Sequence, residues 1–336
     1  MTHKRVLITP QFLVPGDPVD QWLREHGCET VHRAYQGPRT HEELVELFHD
    51  VDAAIIASDR ISAAVMDAAP RLRVIARPGV GYDSVDVAAA TERGIAVCNM
   101  PGINRTAVSE LTIALLLLCA RRIPTNIDDV RAGSWQRLEG RELRGATLGL
   151  VGLGAIGKAV AALARSFGMT ILAHDRAEDP EYAARHGVRY VGTEELLGES
   201  DYVSLHMFLD SSTRHWIDEA KLAMMKPTAY LINTSRGVIV DEAALYRALT
   251  NGAIAGAALD VTEVEPLPTD SPLRRLSNVY ITPHLGGVTR EARQRSGWGA
   301  AHNVLNILDG HELTDVVNPE ALAVRRNGDR ATAGSG

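Results

Sequence analysis

Residues Leu148–Arg176 read LGLVGLGAIGKAVAALARSFGMTILAHDR, and this stretch restricts the fold of the 336-residue chain more tightly than any other. Thr147–Val151 is an apolar run of strand type. Gly152, Gly154 and Gly157 then make G-x-G-x-x-G, with Ala155 and Ile156 inside the same loop, and an Ala-rich helical pattern runs to about Phe167. A second apolar run, Thr170–Ala173, ends at Asp175. In such a unit Gly152 permits the tight turn out of the strand, Gly154 lets the backbone approach a pyrophosphate, and Gly157 lets the helix pack closely on the strand. The helix N-terminus offers free N–H groups and a partial positive charge to the phosphates. Asp175 is placed to accept hydrogen bonds from the adenosine ribose and to repel a 2′-phosphate, which favours NAD over NADP. Arg176 beside it works the other way. Glycines alone only punctuate turns; strand, glycines, helix, strand and acid in this order mark a dinucleotide site.

Composition excludes several other classes. Lys plus Arg number 35 against 42 Asp plus Glu, a net charge of −7, so no nucleic-acid partner is expected. The twelve His form no metal-binding spacing, and no metal is expected. Cys28, Cys98 and Cys119 are far apart and odd in number, which fits buried thiols in a reducing cytoplasm. The opening MTHKRVLITP reads as the start of a strand, not as a signal peptide. The most apolar run, Ile113–Ala120, is far short of the ~20 residues that span a bilayer, so no membrane association is expected. The polar, small-residue tail over 323–336 is expected to be disordered.

Strand and helix patterns alternate on both sides of the fingerprint. Before it, strands are expected at Val6–Thr9, Thr30–Ala34, Ala53–Ala57, Arg73–Arg77 and Ala96–Asn99, with helices at Val19–His26, Glu42–Phe48, Ala63–Ala68 and Val85–Arg93. After Asp175, strands are expected at Tyr202–His206, Ala229–Asn233, Ala257–Val261 and Val279–Ile281, and a long helix over about Arg290–Leu308. Such alternation predicts α/β architecture: two doubly wound parallel-sheet domains, a Rossmann NAD-binding domain (104–287) inserted into a flavodoxin-like substrate-binding domain (1–103 and 288–322). Ligands of such folds bind outside the carboxyl ends of the strands, here in a crevice between the domains.

Three polar residues stand at strand ends in the second half: Arg236 in NTSRG, Glu265 in DVTEVEP and His284 in TPHLGG. Together they suit hydride transfer to a 2-oxo acid. Arg236 would hold the carboxylate and polarise the keto oxygen. His284 would exchange the proton, and Glu265, if paired with it, would raise the imidazole pKa and set its tautomer. Spacing alone leaves open whether the three converge.

The segments RPGVGYDSVD, NMPGINRTAVSELTIALLLLCARRIP, GLVGLGAIG, NTSRGVIVDEAAL, GAALDVTEVEPLP and NVYITPHLGG occur in this order between about Val6 and Leu322. In this the sequence closely resembles the D-isomer-specific 2-hydroxyacid dehydrogenases. The resemblance implies catalytic roles for Arg236, Glu265 and His284, with Val80 and Gly81 gripping the substrate carboxylate. It implies that Asp260 bonds the nicotinamide amide and that Thr234 and Met207 line the cofactor cleft. It also implies a homodimer, with the segment from Arg105 to Arg122 resembling the family's interface helix. Phe208 stands where the family often has proline, and Ser109 where many members have alanine. Glu265 separates the chain from the formate dehydrogenase branch, which has glutamine there.

Arg60, in SDR after a first-domain strand, could meet a substrate phosphate as in the 3-phosphoglycerate branch. LDVTEVEPLPTDSPL also resembles the glyoxylate and hydroxypyruvate reductases. No C-terminal regulatory domain is expected. The lead expectation is an NAD-dependent dehydrogenase of small D-2-hydroxy acids, hydroxypyruvate/glyoxylate or 3-phosphoglycerate. The rival is a non-catalytic NAD(H)-sensing scaffold similar to the C-terminal-binding-protein corepressors, which keep the same three residues.

Overall fold

A computed structural model describes residues 4–311 and 315–324. The chain separates into two compact units, Met1–Asn104 with Arg290–Gly336, and Arg105–Thr289.

The first unit carries β1 (Lys4–Ile8), α1 (Pro18–Glu25), β2 (Cys28–His32), α2 (His41–Phe48), β3 (Ala53–Ile55), α3 (Ala63–Asp67), β4 (Val74–Ala76), α4 (Val87–Glu92) and β5 (Ala96–Cys98). All its strand pairs are parallel, in the order β2-β1-β3-β4-β5. That is the flavodoxin-like order. Every residue of β3, β4 and β5 is buried, because helices cover both faces of a parallel sheet. Side chains alternate between two cores: Ile8, Ile55 and Ala76 face one, Leu7, Ala54 and Ile75 the other. Asp17 caps α1 ahead of Pro18, and Thr40 with Glu43 forms a reciprocal capping box on α2.

The second unit carries α5 (Arg105–Ala120), α6 (Ile123–Arg131), β6 (Thr147–Val151), α7 (Ala155–Ser166), β7 (Thr170–His174), α8 (Pro180–His186) and β8 (Val188–Tyr190). It continues with α9 (Thr193–Glu199), β9 (Tyr202–Leu205), α10 (Glu219–Met224), β10 (Tyr230–Asn233), α11 (Glu242–Thr250), β11 (Gly256–Leu259) and β12 (Val279–Ile281). Seven parallel strands run β12-β11-β10-β9-β6-β7-β8, the Rossmann order extended by one strand. Strand order reverses between β6 and β9, which is where such sheets bind ligands at their carboxyl edge. The chain then returns to the first unit as α12 (Arg290–Asp309), whose Ala300, Val304 and Leu308 join the core on β3, β4 and β5.

Several expectations need correction. The helix read from Val85 starts at Val87, because Asp86 accepts a hydrogen bond from Ala89 N and so caps it. The strand read as Thr30–Ala34 is Cys28–His32, in register with β1 from Lys4↔Cys28. β8 has no counterpart among the expected strands: its Val-Arg-Tyr is too short to show a period, and pairing with β7 creates it. At the tail, Ala323 and Val324 are not disordered; their N–H groups donate to Glu320 O and close a helical turn. Residues 325–336 lie outside the described residues. The apolar character of α5 follows from its own unit. Leu115, Leu116 and Cys119 pack on Leu148, Leu150 and Val160, so interface burial is not needed to explain it.

Candidate active site

The glycine loop has the geometry a pyrophosphate needs. Gly152 adopts φ +97°, and a Cβ there would lie 2.8 Å from the His206 carbonyl carbon. A Cβ at Gly157 would run into the Gly152 carbonyl oxygen, so α7 can approach β6 only with glycine at this position. Gly154 is the N-cap of α7; no side chain caps the helix, and the space where its Cβ would stand is open. The first turn of α7, with Ala155 and Ile156, therefore presents its N–H groups beside open space at Gly154, as suits anionic oxygens. These residues fit a dinucleotide.

Asp175 follows β7, and its carboxylate reaches back to the loop: Oδ2 accepts from Leu153 N at 2.5 Å and Oδ1 from Ala177 N at 3.0 Å. Arg176 is turned toward the loop after β9. Its guanidinium donates to Asp210 Oδ2 at 3.0 Å and to Ser212 Oγ at 2.6 Å, and this pairing holds the Asp210 carboxyl well below the usual range. Met207, after β9, packs against the core around Val151 and Leu205. Thr234, after β10, is buried with its hydroxyl 3.0 Å from that of Thr112 on α5.

Arg236, Glu265 and His284 leave the carboxyl ends of the adjacent strands β10, β11 and β12. The structure brings the last two together: His284 Nδ1 donates to Glu265 Oε2 at 2.7 Å. The bond places the proton on Nδ1 and leaves Nε2 for the outward exchange. The other Glu265 oxygen accepts from Thr262 N at 3.2 Å. His284 has φ +55°, an uncommon left-handed conformation of the kind that concentrates at functional sites. Asp260 holds it there. Its buried carboxylate accepts from Thr282 Oγ1 (2.6 Å), Leu285 N (2.6 Å) and Gly286 N (2.8 Å), and its carbonyl accepts from His284 N (2.9 Å). Asp260 thus clamps the His284 loop, a task the sequence does not reveal. Arg236 Nη1 donates to Ser235 O at 2.8 Å, and Asn233 Nδ2 donates to Arg236 O at 2.9 Å. A Cβ at Gly237 would collide with the Thr262 carbonyl, so the Arg236 loop rests directly on the turn that carries Glu265.

In the first unit, Val80 and Gly81 follow β4. Three carbonyls of this turn are occupied: Gly79 O accepts from Met100 N (2.8 Å), Val80 O from Asn99 Nδ2 (2.7 Å) and Gly81 O from Arg77 Nε (3.0 Å). The Val80 and Gly81 N–H groups have no hydrogen-bond partner among the described residues, as in an anion-binding nest. Arg77 and Asn99 were absent from the expected site; their neighbours in RPGVG and CNMPG are the one sequence hint of it. Arg60 follows β3 and is exposed, without a hydrogen bond or ion pair among the described residues, whereas its neighbour Asp59 is buried between Thr9 and Arg39.

Known proteins resemble this chain over most of its length. The family model for the D-isomer-specific 2-hydroxyacid dehydrogenase NAD-binding domain matches residues 113–286. A glyoxylate reductase of Thermofilum pendens is 43% identical over 334 residues, 97% of each chain. A D-3-phosphoglycerate dehydrogenase of Methanocaldococcus jannaschii is 43% identical over 283 residues, 83% of this chain but only 54% of that protein. A crystal structure of a Thermus thermophilus protein superposes with a TM-score of 0.86 at 41% identity, covering 93% of this chain and 99% of the other. The scaffold reading finds no support among these matches.

Proposed function

Because the chain belongs to the D-isomer-specific 2-hydroxyacid dehydrogenases and is an NAD-dependent oxidoreductase acting on 2-hydroxy acids, we propose that it interconverts glyoxylate or hydroxypyruvate with the corresponding 2-hydroxy acid through Arg236, Glu265 and His284. The observation that carries this reading is the 2.7 Å bond between His284 Nδ1 and Glu265 Oε2 at the sheet edge where the glycine loop opens. The bound cofactor supplies or accepts the hydride at C2. In reduction, protonated His284 gives the Nε2 proton to the C2 oxygen while Glu265 stabilises the imidazole ring; in oxidation, neutral His284 takes that proton from the hydroxyl. Arg236, with a rigid fork of donors, pairs with the substrate carboxylate and draws charge onto the keto oxygen. Val80 and Gly81, in the first unit, present N–H groups of a kind suited to a carboxylate.

Glycine-loop residues Gly152, Gly154, Ala155, Ile156 and Gly157 would hold the pyrophosphate, Asp175 the ribose, and Met207, Thr234 and Asp260 the nicotinamide end. Preference for NAD over NADP is supported by the Asp175 carboxylate on the glycine loop and by the engagement of Arg176 with Asp210 and Ser212. Glyoxylate is favoured by a relative that matches from end to end. A second reading, 3-phosphoglycerate, draws on Arg60, an exposed guanidinium without a partner among the described residues. The deciding experiment is a panel of glyoxylate, hydroxypyruvate, pyruvate and 3-phosphohydroxypyruvate with NADH and NADPH. NADH oxidation fastest with the first two is expected. A clear preference for the phosphorylated acid selects the second reading, and tight NADH binding without turnover on any of them overturns both.

We also propose that the protein is a cytoplasmic homodimer. No helix among the described residues is long and apolar enough to cross a membrane, and all three cysteines are free and buried, with burial pushing Cys98 and Cys119 up to about 12. The surface that favours pairing is α6, which buries none of its residues and leaves Ile123, Ile127 and Val130 between 40% and 49% exposed.

A further inference from the structure

Glu265 does not hold its position alone. It ends the turn Thr262–Glu265, and that turn is tied to the start of α11 by a reciprocal pair of hydrogen bonds. Glu263 N donates to Glu242 Oε1 at 2.6 Å, and Glu242 N donates to Glu263 Oε1 at 3.2 Å. His215 Nε2 lies 2.8 Å from the same Glu263 oxygen. Inside the turn, Thr262 N donates to Glu265 Oε1 at 3.2 Å and Thr262 Oγ1 to Val264 O at 2.9 Å. The Gly237 backbone closes the underside.

This arrangement works against its own electrostatics. Burial raises the pKa of the Glu242 carboxyl; the Glu263 N–H draws it down, while the charges of Glu263 and Glu265 raise it further. Helix capping does not account for Glu242. Asp241 already serves as the N-cap of α11, its side chain accepting from Ala244 N at 2.9 Å. An acid at the first helical position needs only charge to suit the helix dipole, not a specific reach to a residue of another loop.

We propose that Glu242 is a positioning residue: its carboxyl oxygen, by accepting from Glu263 N, sets the turn that aims Glu265 at His284 Nδ1. The inference rests on the catalytic reading of the Glu265–His284 pair given above. What the clasp needs is an acceptor oxygen at glutamate length. Glu242→Gln keeps that oxygen; Glu242→Asp keeps the charge and the helix-dipole contribution but falls one methylene short; Glu242→Ala removes both.

The test measures kcat and KM for glyoxylate with NADH, and the downfield proton signal of the His284 Nδ1–H in the ligand-free protein, identified by its absence from His284→Asn. Expected are a kcat within about 3-fold of the parent and a retained signal in Glu242→Gln, against a 10- to 100-fold loss of kcat with little change in KM and a broadened or lost signal in Glu242→Asp and Glu242→Ala. If Glu242→Ala does not fold, Glu242→Asp decides. Parental kcat and signal in Glu242→Asp, an equal loss in Glu242→Gln, or a loss confined to KM overturns the inference. If His284→Asn keeps full turnover, the catalytic reading fails instead; if His284→Asn is inactive while Glu242→Asp is unchanged, only the role of Glu242 falls.

Discussion

At the scale of single residues, His284 carries the heaviest assignment and the least common backbone. Its left-handed conformation is fixed by Asp260, and its Nδ1 faces Glu265 while Nε2 is left outside that bond. Asparagine tolerates that conformation and cannot exchange a proton near neutral pH, so His284→Asn isolates the chemistry from the fold. Turnover with the preferred 2-oxo acid should fall by about 10²–10⁴, the usual worth of a general acid, while NADH affinity measured by fluorescence titration stays near the parental value. Near-normal turnover would remove His284 from the mechanism. The residue types here were legible: an Arg, a Glu and a His, each next to or near Gly or Pro, each after an apolar run. Their company was not. The clamp by Asp260 and the hydrogen bonds of Asn99 and Arg77 to backbone carbonyls depend on how the chain folds back, and they leave no periodic trace.

At the scale of elements, β9 is followed by a histidine whose environment predicts acid sensitivity. The Cβ of His206 lies beside Gly157 at the glycine loop, its Nε2 is 2.9 Å from Ser204 Oγ, and burial pushes its pKa from 6.5 down to about 4. The unfolded chain therefore binds this proton more readily than the folded one. The stabilisation is complete above about pH 6.5 and is lost as pH falls toward about 4. The loss approaches about 1.4 kcal/mol per pH unit in that window. Urea unfolding at pH 7.5 and pH 5 should show a steeper drop in midpoint for the parent than for His206→Gln, which cannot titrate; parallel slopes would assign the acid limb to other groups. Every strand but β8 was readable as an apolar run; the ends of elements were not, because a cap such as Asp86 decides where a helix begins and pairing with β7 makes β8 a strand.

For the whole molecule, the open question of assembly centres on α6. Its apolar side chains are unusual for a short surface helix in that none is buried within its own unit, whereas the far greasier α5 satisfies itself against β6 and α7. Exposed apolar surface gathered on one helix favours association. Ile127→Glu places a charge at the middle of that face and should convert a dimer to monomers in sedimentation or light scattering at micromolar concentration, with each monomer still folded by circular dichroism. A parent that sediments as a monomer, or a variant that stays dimeric, would show that this face is not the interface. The two-unit organisation was legible from the position of the fingerprint in mid-chain and from one long helical pattern at the end. Strand order followed from the two expected fold classes and not from any spacing within either half.

What could be read from the residues alone was whatever depends on a few neighbouring backbone dihedrals: the glycine loop, the strand–helix alternation, the acid that follows β7. Each is local, so its pattern survives in a linear string. What had to wait for the fold was every relation between segments: the meeting of Glu265 with His284, the clamp by Asp260, the Glu242–Glu263 clasp, and the capture of Arg176 by Asp210. These arise because parallel crossovers bring the carboxyl ends of strands 20 or more residues apart to one sheet edge, and which ends become neighbours is settled by packing on both faces of the sheet, not by any spacing along the chain.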